Sequence, residues 1–117
     1  MPMYIAMNRF RICPGSEQEF EQAWAERDSN LKSVPGFIAF HLLRGASTDE
    51  YTLYSSHVLW ESQAHFEAWT RSEAFRVAHR NAGSRKHLYL GPPQFEGFEV
   101  VQSEYMPWVA LTPNKGS

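Results

Sequence analysis

Cysteine is almost missing from this chain. Cys13 stands alone, which excludes an intrachain disulfide and a cysteine-based zinc site. A single thiol with no evident basic setting is more often inert than catalytic. No stretch approaches the ~18 consecutive apolar residues of a membrane-crossing helix. Blocks of like charge are absent too. Eleven Lys and Arg against thirteen Asp and Glu leave a formal charge of −2, so nothing is arranged to neutralise a run of phosphates. Nucleic acid and membrane are therefore not expected as partners. The opening Met1-Pro2-Met3-Tyr4 carries neither a basic nor an apolar targeting region, and a cytoplasmic location is expected. The short motifs HExxH, GxGxxG, GxSxG and the P-loop do not occur, which leaves zinc peptidase, dinucleotide, hydrolase and nucleoside triphosphate chemistries without a foothold.

What remains is an ordinary globular composition in 117 residues, with 43% apolar and 15% aromatic side chains. That is enough for one hydrophobic core and too little for two. A single domain over residues 1–105 with a loose tail at 106–117 is expected.

Met3 to Ile12 alternates as a strand, with Tyr4, Ala6, Asn8, Phe10 and Ile12 on one face and Ile5 and Met7 on the other. Pro14-Gly15 breaks it. Ser16 followed by Glu19 reads as a capping box opening a helix, whose stripe of Phe20, Trp24, Arg27 and Leu31 runs to an end near Ser33. Phe37 to Arg44 and Tyr51 to Trp60 form a hairpin around the turn-like residues 45–50. Ser62 can cap a second helical region in which Phe66 and Trp69 share a face. Ser72 followed by Glu73 looks like a fresh cap, which implies a break near Thr70 to Ser72. Phe75 and His79, four apart, lie on one side of the continuing helix, and Asn81-Ala82-Gly83 should stop it. Residues 84–94 read as a basic loop with Arg85, Lys86 and His87, and Phe95 to Tyr105 as the last strand. The order βαββαβ is that of a ferredoxin-like α+β fold, an antiparallel sheet with its helices on one face. Apolar residues on both sides of the strands then predict a homodimer joined through the open sheet face.

Three residues stand out, each with a plain alternative. His79 projects with Phe75 into an apolar setting, where a neutral imidazole can be a satisfied core histidine or can ligate an iron whose macrocycle fills the space. Trp69 is an ordinary core aromatic or a wall against a flat ligand. Asn8 is an amide in mid-strand, depleted there by propensity and costly to bury unpaired. It bonds to a neighbouring backbone or donates to a ligand oxygen. His41 and His57 can approach across the hairpin, but such histidines, taken alone, are more often surface or core residues than metal ligands.

These residues, in the stretches AMNRFRI, VPGFIAFHLLRG and WESQAHFEAWTRSEAFRVAHR, resemble the small dimeric haem-degrading monooxygenases of bacteria, within the antibiotic biosynthesis monooxygenase superfamily. The PGF and WES segments carry the fold, and Asn8, Trp69 and His79 together carry the haem branch. The resemblance implies a dimeric α+β barrel in which haem is both cofactor and substrate. It implies that His79 is the axial ligand of haem iron, that Asn8 donates to the oxygen bound there, and that Trp69 crowds the porphyrin out of plane, beside Phe75. Arg85, Lys86 and His87 are candidates for the haem propionates. Dioxygen and an external electron donor, a separate reductase or a small reductant, are implied because the chain has no flavin or nicotinamide fingerprint. The same superfamily fold also serves cofactor-free monooxygenases of quinols and polycyclic aromatics, and a non-catalytic haem-binding dimer is a third reading.

Overall fold

The computed structural model describes residues 2–27, 30–79 and 82–106. Four strands, β1 (Tyr4–Ile12), β2 (Phe37–Ser47), β3 (Thr52–Trp60) and β4 (Gln94–Glu99), and three helices, α1 (Glu17–Glu26), α2 (Gln63–Thr70) and α3 (Glu73–His79), make up the regular structure, with 3-10 turns at Leu31–Ser33 and Ala82–Leu88. The sheet order is β2-β3-β1-β4, and all its pairings are antiparallel. This is the ferredoxin-like α+β fold expected from the element order. The expected tail lies outside the described residues beyond Met106.

The strand alternation carries through to burial. Tyr4, Ala6, Phe10 and Ile12 of β1 and Thr52, Tyr54, Ser56, Val58 and Trp60 of β3 are buried beneath the helices. Their odd-numbered neighbours form the other face, where Leu43 is 41% and Phe98 is 48% exposed. Under the helices the apolar core is split in two. One cluster gathers Tyr4, Ala6, Leu31, Val58, Trp60 and Trp69; the other gathers Phe10, Ile12, Phe20, Tyr54 and Leu88.

Several local expectations are corrected. Helix α1 stops at Glu26, not near Ser33, because Arg27 turns to extended backbone (φ −76°, ψ 143°) and lays its guanidinium over the Trp24 ring at 4.1 Å. The chain re-enters at Asn30 in the left-handed region, φ 56°, and Leu31 still reaches the core. Ser16 makes no side-chain cap, since its backbone (φ −103°, ψ 6°) lacks the extended geometry that aims the hydroxyl. Glu17 instead accepts the Gly15 N–H at 3.0 Å. Strand β2 runs on to Ser47 past a register shift after Arg44, which shortens the hairpin loop. Residues 82–88 form 3-10 turns rather than a plain loop; Leu88 is fully buried there, and the Cys13 N–H donates to its carbonyl at 2.8 Å. Strand β4 ends at Glu99, well before Tyr105.

The second helical region follows its sequence closely. Ser62 Oγ accepts the His65 N–H at 3.2 Å, and the break expected near Thr70 to Ser72 separates α2 from α3. Ser72 caps the new helix, accepting the Phe75 N–H at 3.1 Å and donating to the Trp69 carbonyl at 2.6 Å. This one hydroxyl fixes the angle at which α3 carries Phe75 and His79 back toward Trp69.

Candidate active site

Between the two core clusters the helices and the sheet leave a cavity of about 1090 Å³. That volume is at the upper end for a small-molecule site. Ala6, Asn8, Phe10, Ser56 and Val58 line it from the sheet, Trp24 and Arg27 from the end of α1, Phe66, Trp69, Phe75 and His79 from α2 and α3, and Arg85, Lys86, Tyr89 and Phe95 from the segment that follows. Six of the seven residues put forward from the sequence for the haem site, Asn8, Trp69, Phe75, His79, Arg85 and Lys86, therefore line one space. His87 does not join them; its Nε2 pairs with Glu19 at 3.0 Å.

His79 is held as a neutral, oriented imidazole. Its Nδ1 lies 2.9 Å from the Phe75 carbonyl oxygen. A carbonyl can only accept, so Nδ1 carries the hydrogen, and Nε2 keeps its lone pair for a metal or a proton. Burial pushes the imidazole below its ordinary value, and the Arg27 charge pushes the same way, against the raising effect of the Phe75 hydrogen bond. At neutral pH the ring is thus a base with one committed and one available nitrogen. It packs on Phe75 at 4.2 Å between centroids and on Trp69 at 5.9 Å, while Trp69 and Phe75 meet edge to face at 4.8 Å.

Trp69 is 7% exposed, and its Nε1 is buried with no hydrogen-bond partner among the described residues. An unpaired indole N–H at this depth is held by the packing of its ring, not by a polar contact. The Asn8 side chain is half-buried on the helix face of β1, opposite Phe95 on β4 and Ser56 on β3. Its amide makes no hydrogen bond among the described residues. Of the two fates open to it, bonding to neighbouring backbone is therefore the one not observed.

Sequence reasoning passed over Arg27 as a member of the α1 stripe. A cation inside an apolar stripe was the available signal. Burial lowers its guanidinium from the ordinary value, and it faces Tyr89, whose hydroxyl burial raises. With Arg85 and Lys86 it gives the cavity a cationic side. No cluster of three or more histidine, cysteine or carboxylate groups suited to a metal ion occurs among the described residues, so metal chemistry in this cavity rests on the single imidazole. A flat apolar ligand that brings its own metal, needs one axial nitrogen and carries carboxylates fits this set of walls.

Comparison with known proteins points the same way. Residues 3–81 match the family model for antibiotic biosynthesis monooxygenase. The chain is 31% identical over 101 residues to a haem-degrading monooxygenase of Shouchella clausii, covering 86% of this chain and 94% of that one. It is 33% identical over 101 residues to a mycobilin-producing haem oxygenase of Mycobacterium tuberculosis, covering 86% and 90%. The structure of the haem degrader MhuD from Mycobacterium tuberculosis, with two haems bound in its active site, superposes with a TM-score of 0.67 at 29% identity, covering 87% of this chain and 99% of that one. The chain belongs to the antibiotic biosynthesis monooxygenase family and, within it, to the haem-degrading monooxygenases.

Proposed function

We propose that this protein binds haem in the cavity between sheet and helices and opens its porphyrin ring, with dioxygen and reductant, to release iron. The observation that carries the reading is the His79 imidazole, whose Nδ1 is committed to the Phe75 carbonyl at 2.9 Å and whose Nε2 is left for iron beside Asn8 and Trp69 on the same cavity. Haem is both substrate and cofactor. It brings the redox-active iron and the carbon that is oxidised, while electrons come from a separate reductase or a small reductant.

The residues of the chain divide the remaining work. His79 is the axial ligand, and its hydrogen bond to Phe75 sets both tautomer and ring direction. Phe75, packed on the imidazole, holds it against rotation. Asn8 offers an amide donor from the sheet toward an oxygen on the ligand, on the cavity wall it shares with His79. Trp69 presses on the macrocycle, because its indole is wedged among Trp60, Phe66 and Phe75 and has no room to retreat. Arg27, Arg85 and Lys86 supply cations for the propionates.

The protein works as a homodimer joined through the open sheet face, where Leu43 and Phe98 are exposed alongside Ile5, Met7 and Leu59, an apolar set that a partner normally covers. It acts in the cytoplasm. Among the described residues no helix is long and apolar enough to cross a membrane.

The test adds haemin to the purified protein and then ascorbate in air. A Soret band that decays with release of iron is expected. A stable band means storage rather than degradation, and no band sinks the haem reading. His79→Ala should abolish or greatly weaken the band, and an unchanged spectrum overturns the assignment of the axial ligand. Sedimentation of the wild type and of Phe98→Glu, which places a charge on the open face, checks the dimer: the variant should sediment as a monomer.

A further inference from the structure

Tyr89 brings a phenol to the cationic side of the cavity. Its backbone is pinned to the end of β1: it forms an antiparallel bridge with Ile12, the Cys13 N–H donates to the Leu88 carbonyl at 2.8 Å, and the Leu90 N–H donates to the Arg11 carbonyl at 2.7 Å. Its ring meets Phe10 and Phe20 edge to face, at 5.8 and 5.9 Å between centroids. The hydroxyl is tied to α1. The Trp24 side chain hydrogen-bonds to it; an indole N–H only donates, so the phenol oxygen accepts and its own hydrogen stays uncommitted. The Arg27 guanidinium, stacked on Trp24 at 4.1 Å, lies close enough for its charge to act on both Tyr89 and His79. Burial raises the phenol from its ordinary value, against the lowering effects of Arg27, Arg85 and the Trp24 bond, so Tyr89 carries its proton at neutral pH.

An axial imidazole sets the height of a haem in its pocket but leaves it free to turn about the iron–nitrogen bond. The point at which the propionates are held fixes that rotation, and the rotation decides which meso carbon is turned toward Asn8. Arg85 and Lys86 are exposed; long, solvated cations attract a carboxylate without orienting it. Tyr89 and Arg27 differ, because the first is locked by ring packing and backbone bonds and the second by its stack on Trp24. Together they present an O–H and a guanidinium to one carboxylate, a charge-assisted set with a defined direction. We propose that Tyr89 donates to one haem propionate beside Arg27 and so sets the in-plane orientation of the macrocycle, and with it the meso carbon that is oxidised. This rests on the haem reading of the cavity.

The experiment compares the full-length wild type with Tyr89→Phe, which keeps the ring packing and removes only the hydroxyl. Tyr89→Phe should weaken haemin binding by about ten- to a hundredfold, the loss expected for a hydrogen bond to a charged group. Haemin dimethyl ester, which has no carboxylate, should bind the two proteins within about threefold of each other. Orientation is read without turnover, by proton NMR of the cyanide complexes formed with a haemin whose vinyl groups are replaced by methyls, so that its two faces are equivalent. The wild type should show one set of shifted ring-methyl resonances and Tyr89→Phe at least one further set. Under ascorbate in air the same haemin should yield one tetrapyrrole regioisomer from the wild type and a mixture from the variant. A single orientation and a single product in both proteins, or an equal loss of affinity for haemin and for its ester, overturns this proposal and leaves the haem reading standing. A wild type that gives no Soret band overturns both.

Discussion

Asn8→Leu separates a side chain kept for function from one kept for the fold. The Asn8 amide is half-buried on the helix face of β1 and makes no hydrogen bond among the described residues. Burying an amide without a partner costs ~1–3 kcal/mol by mutational measures. Because Asn8 keeps part of its surface, the lower end applies, about 1 kcal/mol. Leucine has a similar shape and adds apolar area against Phe10 and Phe95, so the haem-free protein should become more stable by about that amount. For a chain of this size that raises the melting temperature by roughly 4 °C. Turnover should move the opposite way: loss of a donor aimed at the reacting oxygen typically reduces rate on the order of 100-fold. The assay is a urea melt of the haem-free chain, paired with decay of the Soret band under ascorbate. A lower urea midpoint at unchanged slope would refute the reasoning, because it means the amide already has a partner within the fold. Unchanged turnover would equally refute its role in the site.

The protonation of His79 gives a second check. Burial holds its folded value below the ordinary 6.5, so the unfolded chain binds the proton more readily than the folded one. Its contribution to stability is complete above about pH 6.5 and is lost as pH falls through the lowered value. Haem affinity should follow, flat from about pH 8 to 6.5 and declining below the lowered value as the proton takes Nε2; a Soret titration that declines from above pH 7 counts against the burial argument. Ser72→Ala removes the cap of α3 and should lower stability by about 1 kcal/mol, with a larger effect on haem affinity than on secondary structure, as Soret titration and circular dichroism would show. Gly97 sits beneath the Tyr4 ring, where a Cβ would overlap the tyrosine hydroxyl. Gly97→Ala should therefore cost ~1–3 kcal/mol, and adding Tyr4→Phe should recover part of it in the urea midpoint.

The topology was legible because its signals are local. Alternation in β1 marked its buried face residue by residue, and Ser62 and Ser72 marked two helix starts that the structure confirms with hydrogen bonds at 3.2 and 3.1 Å. Local signals failed where long-range contacts decide. Arg27 ends α1 by stacking back on Trp24. Leu88, in a segment that reads as a basic loop, is drawn into the core cluster of Phe10, Ile12, Phe20 and Tyr54. Strand β4 keeps its pairing only as far as β1 extends beside it, where the Val100 N–H meets the Met3 carbonyl at 2.8 Å.

The candidate site divides in the same way. Sequence by itself determined which side chains were unusual for their positions: an amide in a half-buried strand, and a histidine four residues after a phenylalanine on a helix that a fresh cap had just begun. It also excluded an intrachain disulfide, and it offered no long apolar run and none of the short motifs that reveal peptidase, hydrolase or nucleotide chemistry, since those depend only on residue types and short spacings. The tertiary structure decided that Asn8, Trp69 and His79 share one cavity, that Arg27 joins them, and that Tyr89, pinned to the end of β1, lines it too. Those facts depend on strand register and on how the helices cross the sheet, and packing between residues distant in the chain sets both.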